Sequence, residues 1–269
     1  MVTGSEVVHV AAAPPAELDE ELVKKIAAII GKSLYETRLR LTGKIPKIIA
    51  NYASMREAES GAESLRQLGL AVFVASDSEL RQPPQVFKAR SLKLEHEATT
   101  FYDRIGQSKR MEAGELFLIL SIRNQTYKEE EVITTKRKIN ITATVLTGGI
   151  PVTKKVEQKT KNVSYQTVSF LRLYGKTLAE PVVEIIQDNF DYSFLGTEMA
   201  SSGAANYLIA IRKIRDAFPK AIFDNGLMEP FGANMPATMT KDAIEANCKL
   251  IYWYHQAVHT PGTSLQLQM

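Results

Sequence analysis

The run GKSLYETRLRLTGKIPKIIANYASMREAESGAESLRQLGLAVFV, Gly31 to Val74, decides the fold of the first part of this chain. Ser33 is followed three residues on by Glu36, the pattern of a capping box, and predicts a short helix over Ser33–Leu41. Leu34, Thr37 and Leu41 fall on one side of it at helical spacing. Arg38 and Arg40 make the rest of its surface basic, and Gly43 ends it. Lys44–Ala50 reads as a strand in which Pro46 is confined to the start or to an edge, because proline cannot donate to a ladder. Ser54 and Glu57 repeat the capping pattern and open a third helix with Ala58, Ala62 and Leu65 as its core stripe. Gly69 closes that helix, and Leu70–Ala75 is apolar enough for a buried strand.

Upstream, Glu6–Ala11 reads as a strand stopped by Pro14 and Pro15. A helix over Ala16–Ile30 follows, with Leu18, Leu22, Ile26, Ile29 and Ile30 on one face and Asp19, Glu20 and Glu21 in a first turn that favours acids. Gly31 supplies its stop. The whole is a βααβαβ unit over residues 6–80. In element order and turn placement the quoted run resembles the C-terminal domain of the bacterial ribosomal stalk protein and the Clp protease adaptor, which shares that α/β fold. Leu34, Glu36 and Arg38 fall where the stalk family has a Leu-Lys-Glu-Ala-Lys run, Pro46 matches a family proline, and Tyr35 replaces a lysine. The resemblance implies a basic helical face that binds acidic protein surfaces. Lys24, Lys25, Lys32, Arg38 and Arg40 are the residues to form it, against the plainer reading of a solvated helix surface.

Ser76–Gln85, ending just past Pro83-Pro84, reads as a linker. The period then shifts towards two. Val86–Glu95, Thr99–Asp103, Leu116–Ile122, Ile139–Leu146, Thr167–Tyr174 and Val182–Tyr192 are candidate strands. Ser201 or Ser202 caps a helix with Tyr207, Leu208, Ile211, Ile214 and Phe218 on one face. Strands followed by a closing helix predict an antiparallel β-domain over 86–226, loosely similar in element order to a pleckstrin-homology-like domain. Residues 127–166 form a basic insertion carrying Lys136, Arg137, Lys138, Lys154, Lys155, Lys159 and Lys161 around Gly148-Gly149. A projecting hairpin there is suited to phosphate or acidic partners, and equally to a soluble loop that repels edge pairing. Residues 227–269 form a helical tail. Thr240 caps its helix, whose Ile244, Leu250, Ile251, Trp253, Tyr254 and Val258 demand burial in the chain's own core or against a partner. Trp253 is the expected anchor if a partner covers it.

The chain has 269 residues, 45% hydrophobic and 23% charged, with a net charge of +3, which is too mild to imply nucleic acid by itself. Its single cysteine, Cys248, excludes an internal disulfide and a four-cysteine zinc site. The N-terminus has no basic segment of the signal-peptide kind, and no apolar run is long enough to span a bilayer, so a cytoplasmic protein is expected. Gly31-Lys32-Ser33 and Gly175-Lys176-Thr177 lack the earlier glycine of a phosphate-binding loop, since Ile26 and Phe170 stand there. His255 and His259 lie one helical turn apart, but Gln256 replaces the glutamate of a metalloprotease helix. His9 and His96 have no serine or cysteine set in a nucleophile turn. The segment DNFDYSFLG, Asp188 to Gly196, is expected to pack Phe190 and Phe194 inward.

These readings describe an α+β chain that is not an enzyme and needs no cofactor or metal. The expected function is protein binding or assembly through a basic helical face (Lys24, Lys25, Arg38, Arg40) and the apolar C-terminal helix, with homo-oligomerisation open. The alternative is nucleic-acid or ribosome association through Lys136–Lys161.

Overall fold

The computed structural model describes residues 6–139, 153–228 and 240–259, with the backbone alone described for 125–139, 153–166 and 241. The class is α+β, as expected. The N-terminal order is β1 (Val8–Ala12), α1 (Glu20–Ile30), α2 (Leu34–Arg40), β2 (Lys47–Tyr52), α3 (Met55–Arg66) and β3 (Val72–Ser76). β1 is the central strand, antiparallel to both neighbours, with Val10 opposite Ala50 on one side and Val74 on the other. Helix starts follow side-chain caps. The Leu22 amide donates to Asp19 Oδ1 at 2.7 Å, and the Glu36 and Glu57 amides donate to the hydroxyls of Ser33 and Ser54. α1 therefore begins at Glu20 rather than Ala16, and Gly31 ends it in the left-handed region at φ 66°. Val23, Ile26, Ala27 and Ile30 of α1 and Ala58, Ala62 and Leu65 of α3 are buried.

The expected linker after β3 is instead a capped helix, α4 (Asp77–Arg81). Ser76 accepts from the Glu79 amide while the Glu79 carboxylate accepts from the Ser76 amide, a reciprocal capping box. The Ser-x-x-Glu signal stood in the sequence, masked by the prolines that follow. Two carbonyls at the end of α4, those of Glu79 and Gln82, find a donor in the Lys249 ammonium.

A five-stranded sheet follows, in the order β11-β8-β9-β10-β4, built from β4 (Val86–Ala89), β8 (Leu116–Ile139), β9 (Thr153–Gly175), β10 (Val182–Ile186) and β11 (Ile222–Leu227). It is mixed rather than purely antiparallel: β10 is antiparallel to β9, while β4 runs parallel to β10 and β11 parallel to β8. β5 (Ser91–Leu94), β6 (Ala98–Tyr102) and β7 (Ser108–Glu112) form a separate antiparallel meander. β7 and β11 were not foreseen: Ser108–Glu112 is too polar to signal a strand, and Asn225-Gly226 interrupts the apolar run of β11. The expected strand Ile139–Leu146 and the Gly148-Gly149 turn lie outside the described residues.

The closing helix α5 (Gly203–Ala217) is capped by Ser202, whose hydroxyl accepts from the Ala205 amide. It buries Tyr207, Ile211 and Ile214 with Phe218, but Leu208, expected on the same face, is exposed. Phe190, Tyr192 and Leu195 pack into that cluster with Phe194 partly buried against it, as expected for the DNFDYSFLG corner. The C-terminal helix α6 (Lys241–His259) joins a second cluster that includes Ala11 and Phe73 of the first sheet and Leu118 and Tyr174 of the second. By contacts the chain divides into Met1–Asn124 with Val168–Met269, and Gln125–Thr167. The expected boundaries near 80–86 and 226–227 fall inside the first of these units, because one apolar cluster draws on both sides of each. Among the described residues no helix is long and apolar enough to cross a membrane.

Candidate functional site

The expected basic face is largely neutralised. Lys24 pairs with Glu20 at 2.8 Å and Lys25 with Glu21 at 3.9 Å, each one turn apart on exposed α1. Lys32 and Arg40 share Glu36, which they hold below the usual carboxylate range, the Arg40 hydrogen bond being the largest cause. Arg40 also donates to the Ile48 carbonyl at 3.0 Å and so helps hold α2 on β2. Arg38 is different: it is exposed, and among the described residues it has no ion-pair partner.

Around Arg38 lie large apolar side chains that the core does not take. Leu34 is 47% exposed, Tyr35 79% and Leu39 51%. At 100° per residue, positions 34, 35, 38 and 39 span one arc of about 140° on α2, and the buried Thr37 and Leu41 lie just beyond the Leu34 end of it. Leu34 was expected on the same side as Thr37 and Leu41, but unlike them it is half exposed. The helix is only seven residues long, and its buried side is filled by Thr37 and Leu41 alone.

The expected anchor Trp253 is 3% exposed and stacks at a tilt on Phe73, with ring centroids 6.2 Å apart. It is a core residue and is not available to a partner. Lys136, Arg137, Lys138, Lys154 and Lys155 belong to β8 and β9, and their side chains lie outside the described residues.

A cleft of about 820 Å³ is lined by His9, Asp77, Arg81, Arg172, Glu184, Asp242 and Glu245, with apolar neighbours such as Leu80 and Pro84. His9 bridges Asn51 Oδ1 (2.9 Å, from Nδ1) and Asp77 Oδ1 (3.0 Å, from Nε2). Asp77 is held below the ordinary carboxyl value, first by Arg81 and then by His9. Deeper in, Arg172 stands directly across from Glu184 in the β9–β10 ladder. Its Nε and Nη2 donate to Glu184 at 3.1 and 3.0 Å, and its Nη1 and Nη2 to the two oxygens of Glu245 at 2.5 and 2.6 Å. Burial opposes the guanidinium charge, but Glu245 outweighs it and Arg172 is held firmly protonated. Four donations to two carboxylates leave this fork little to offer an incoming anion. Among the described residues the lining includes no serine, threonine, cysteine or tyrosine.

A second His–Asp pair joins α6 to β11. His255 Nε2 lies 2.7 Å from Asp224 Oδ2, and the Gly226 amide donates to Asp224 Oδ1 at 2.7 Å. Burial would raise the Asp224 carboxyl, but the His255 hydrogen bond and then the Gly226 amide outweigh it, so it lies below its ordinary value. His255 and His259 stack with centroids 5.7 Å apart. Cys248, two turns earlier, is fully buried, and burial pushes its thiol up to about 12. Among the described residues no group of three or more His, Cys, Asp or Glu could hold a metal ion.

Sequence reasoning overlooked these paired charges because their partners lie far apart in the chain. One signal was present: a lone Arg172 inside Phe170–Tyr174 and a lone Glu184 inside Val182–Ile186, each a charge in an otherwise apolar strand, is the mark of a buried pair. Comparison of this chain with family models, with curated proteins and with solved structures finds no match.

Proposed function

We propose that this chain is a non-enzymatic, cytoplasmic protein-binding or assembly protein whose α2 face docks a protein partner. The observation that carries this reading is the set of three large apolar side chains, Leu34, Tyr35 and Leu39, exposed around Arg38, which has no ion-pair partner among the described residues. Covering what remains exposed of Leu34 and Leu39, about half of each, stabilises a complex by roughly 1 kcal/mol per side chain before the costs of association, and Tyr35 adds to it. A central aromatic beside an arginine is the composition that dominates interface energetics. The partner's chemistry follows: apolar side chains to cover Leu34, Tyr35 and Leu39, and a carboxylate to meet Arg38. The resemblance of the βααβαβ unit to stalk and adaptor domains supports the same face, with the apolar element added to the basic one.

The test is capture from cell extract by the immobilised full-length chain, with cross-links mapped on the retained partner. Tyr35→Ser with Leu39→Ser, and separately Arg38→Glu, are expected to lose that partner without a change in melting temperature. Reversal of Lys24 and Lys25 is expected to change capture little, since Glu20 and Glu21 already neutralise them. An unchanged partner profile in the α2 variants, or cross-links that map away from α2, overturns the reading.

A further inference from the structure

The cleft at the start of α6 has a charged floor and an apolar wall. The ladders set Glu184 of β10 opposite Arg172 of β9 on one side and Lys88 of β4 on the other, so the three side chains share one face of the sheet. Glu184 lines the cleft and is only 8% exposed. Both donations it receives from Arg172 go to Oε2, and among the described residues Oε1 accepts none. A carboxylate oxygen so enclosed is costly without a donor. Charge adds to the demand. Asp77 is matched by Arg81, but the single Arg172 cation answers both Glu184 and Glu245 and leaves one negative charge over. Asp242 lines the same cleft as a further acid, with no ion pair among the described residues.

Lys88 does not make up the deficit. It is exposed and lines the cleft, yet it forms no ion pair among the described residues, although the register puts it beside Glu184. A cation and a half-satisfied carboxylate thus stand side by side without meeting. We propose that the cleft binds a free α-amino acid with an apolar side chain. Its ammonium donates to Glu184 Oε1, its carboxylate meets Lys88, and its side chain lies on the wall of Leu80, Pro83, Pro84 and Val86. An α-amino acid carries both charges on one carbon, and neighbouring strands lie about 4.8 Å apart, so one small zwitterion reaches both residues. The ammonium supplies the missing donor and the missing positive charge together. An amine alone leaves Lys88 unmatched. An acid alone brings a like charge to Glu184. The cleft volume of about 820 Å³ falls in the range of small-molecule sites, roughly 300–1,000 Å³, which pair apolar walls with a few placed polar groups. Arg172, committed to its two carboxylates, holds Glu184 in position. The site shares no residue with the α2 face and stands apart from the function proposed for that face.

The test is titration calorimetry of the full chain with leucine and phenylalanine, and with isoamylamine and isocaproate, which are leucine without its carboxylate and without its ammonium. Leucine is expected to bind, isoamylamine about tenfold or more weakly, and isocaproate not at all. Lys88→Met is expected to weaken leucine to the level of isoamylamine and to leave isoamylamine unchanged, a split that a merely structural lysine would not produce. Glu184→Gln is expected to weaken both about tenfold or more. No binding of either amino acid at millimolar concentration, isoamylamine as tight as leucine, or leucine binding unmoved by Lys88→Met overturns the proposal. Should Glu184→Gln fail to fold, amide shifts of the unaltered protein titrated with leucine decide. Shifts centred on Leu80, Val86 and Glu184 support the site, and shifts confined to other residues refute it.

Discussion

Helices α2 and α6 treat their large apolar side chains in opposite ways. α2, seven residues long, leaves Leu34, Tyr35 and Leu39 in water and buries only Thr37 and, just past its end, Leu41. α6, nineteen residues long, buries Ile244, Cys248, Leu250, Ile251, Tyr252 and Trp253, and leaves Val258 as its one large exposed hydrophobic. The difference lies in what each helix has to lie against. α2 rests at the margin of a three-stranded sheet already covered by α1 and α3, so one side is enough. α6 fills the space beside Phe73, Leu118, Leu120 and Tyr174, and it is fastened there by polar ties at three successive turns. Glu245 takes Arg172, Lys249 takes the end of α4, and the Tyr252 hydroxyl donates to the Lys176 carbonyl at 2.8 Å. An apolar helix therefore signals a partner only when the chain itself has no groove for it.

The sharpest way to break this contrast is at Trp253. Trp253→Ala is expected to lower stability by about 3–5 kcal/mol, read from denaturant unfolding, because it empties a packed site. A loss below 1 kcal/mol contradicts the placement of α6 in the core. Arg172→Met comes next. It leaves Glu184 and Glu245 buried without their cation and is expected to cost about 3 kcal/mol; adding Glu184→Leu and Glu245→Leu to the same chain is expected to recover much of it.

A smaller effect is expected at the Asp224–His255 tie, and it depends on pH. The folded carboxyl lies below its ordinary value of 3.8, so its stabilising contribution is full above that value and is lost as pH falls through the folded one. Asp224→Asn is therefore expected to cost about 1–2 kcal/mol at neutral pH, and the gap to the unaltered protein is expected to close as pH is lowered below about 4. A gap that stays constant from pH 7 to pH 3 rules out the ionised Asp224 carboxylate as its origin. The smallest stability change belongs to α2. Tyr35→Ser and Leu39→Ser are expected to stay within about 0.5 kcal/mol of the unaltered chain, since exposed substitutions rarely do more. A larger loss shows that the face is held by the chain's own fold and withdraws it as a docking surface.

The elements of the first sheet were legible because their signals are local. Ser33, Ser54, Gly31 and Gly69 act on amides and carbonyls within a turn of themselves, and an apolar period needs no distant residue to be read. The same local grammar contained α4 in Ser76–Glu79, hidden by the weight given to Pro83-Pro84. The cationic face was half legible. Lysines at the spacing of Glu20–Lys24 and Glu21–Lys25 signal pairing as well as exposure, and pairing won. Arg172, Glu184 and Glu245 showed no spacing to read, only two charges in apolar strands whose companion lies on another element.

By itself the sequence determined the class, the order of the N-terminal elements and the apolar character of the last helix. All of these depend on residues within a few turns or along a single strand. Only the tertiary structure decided which apolar surface meets the core and which meets water, which charges are paired, and where the compact units divide. Those outcomes depend on volume and distance between elements far apart in the chain, and no local pattern encodes how much of a face its neighbours will cover.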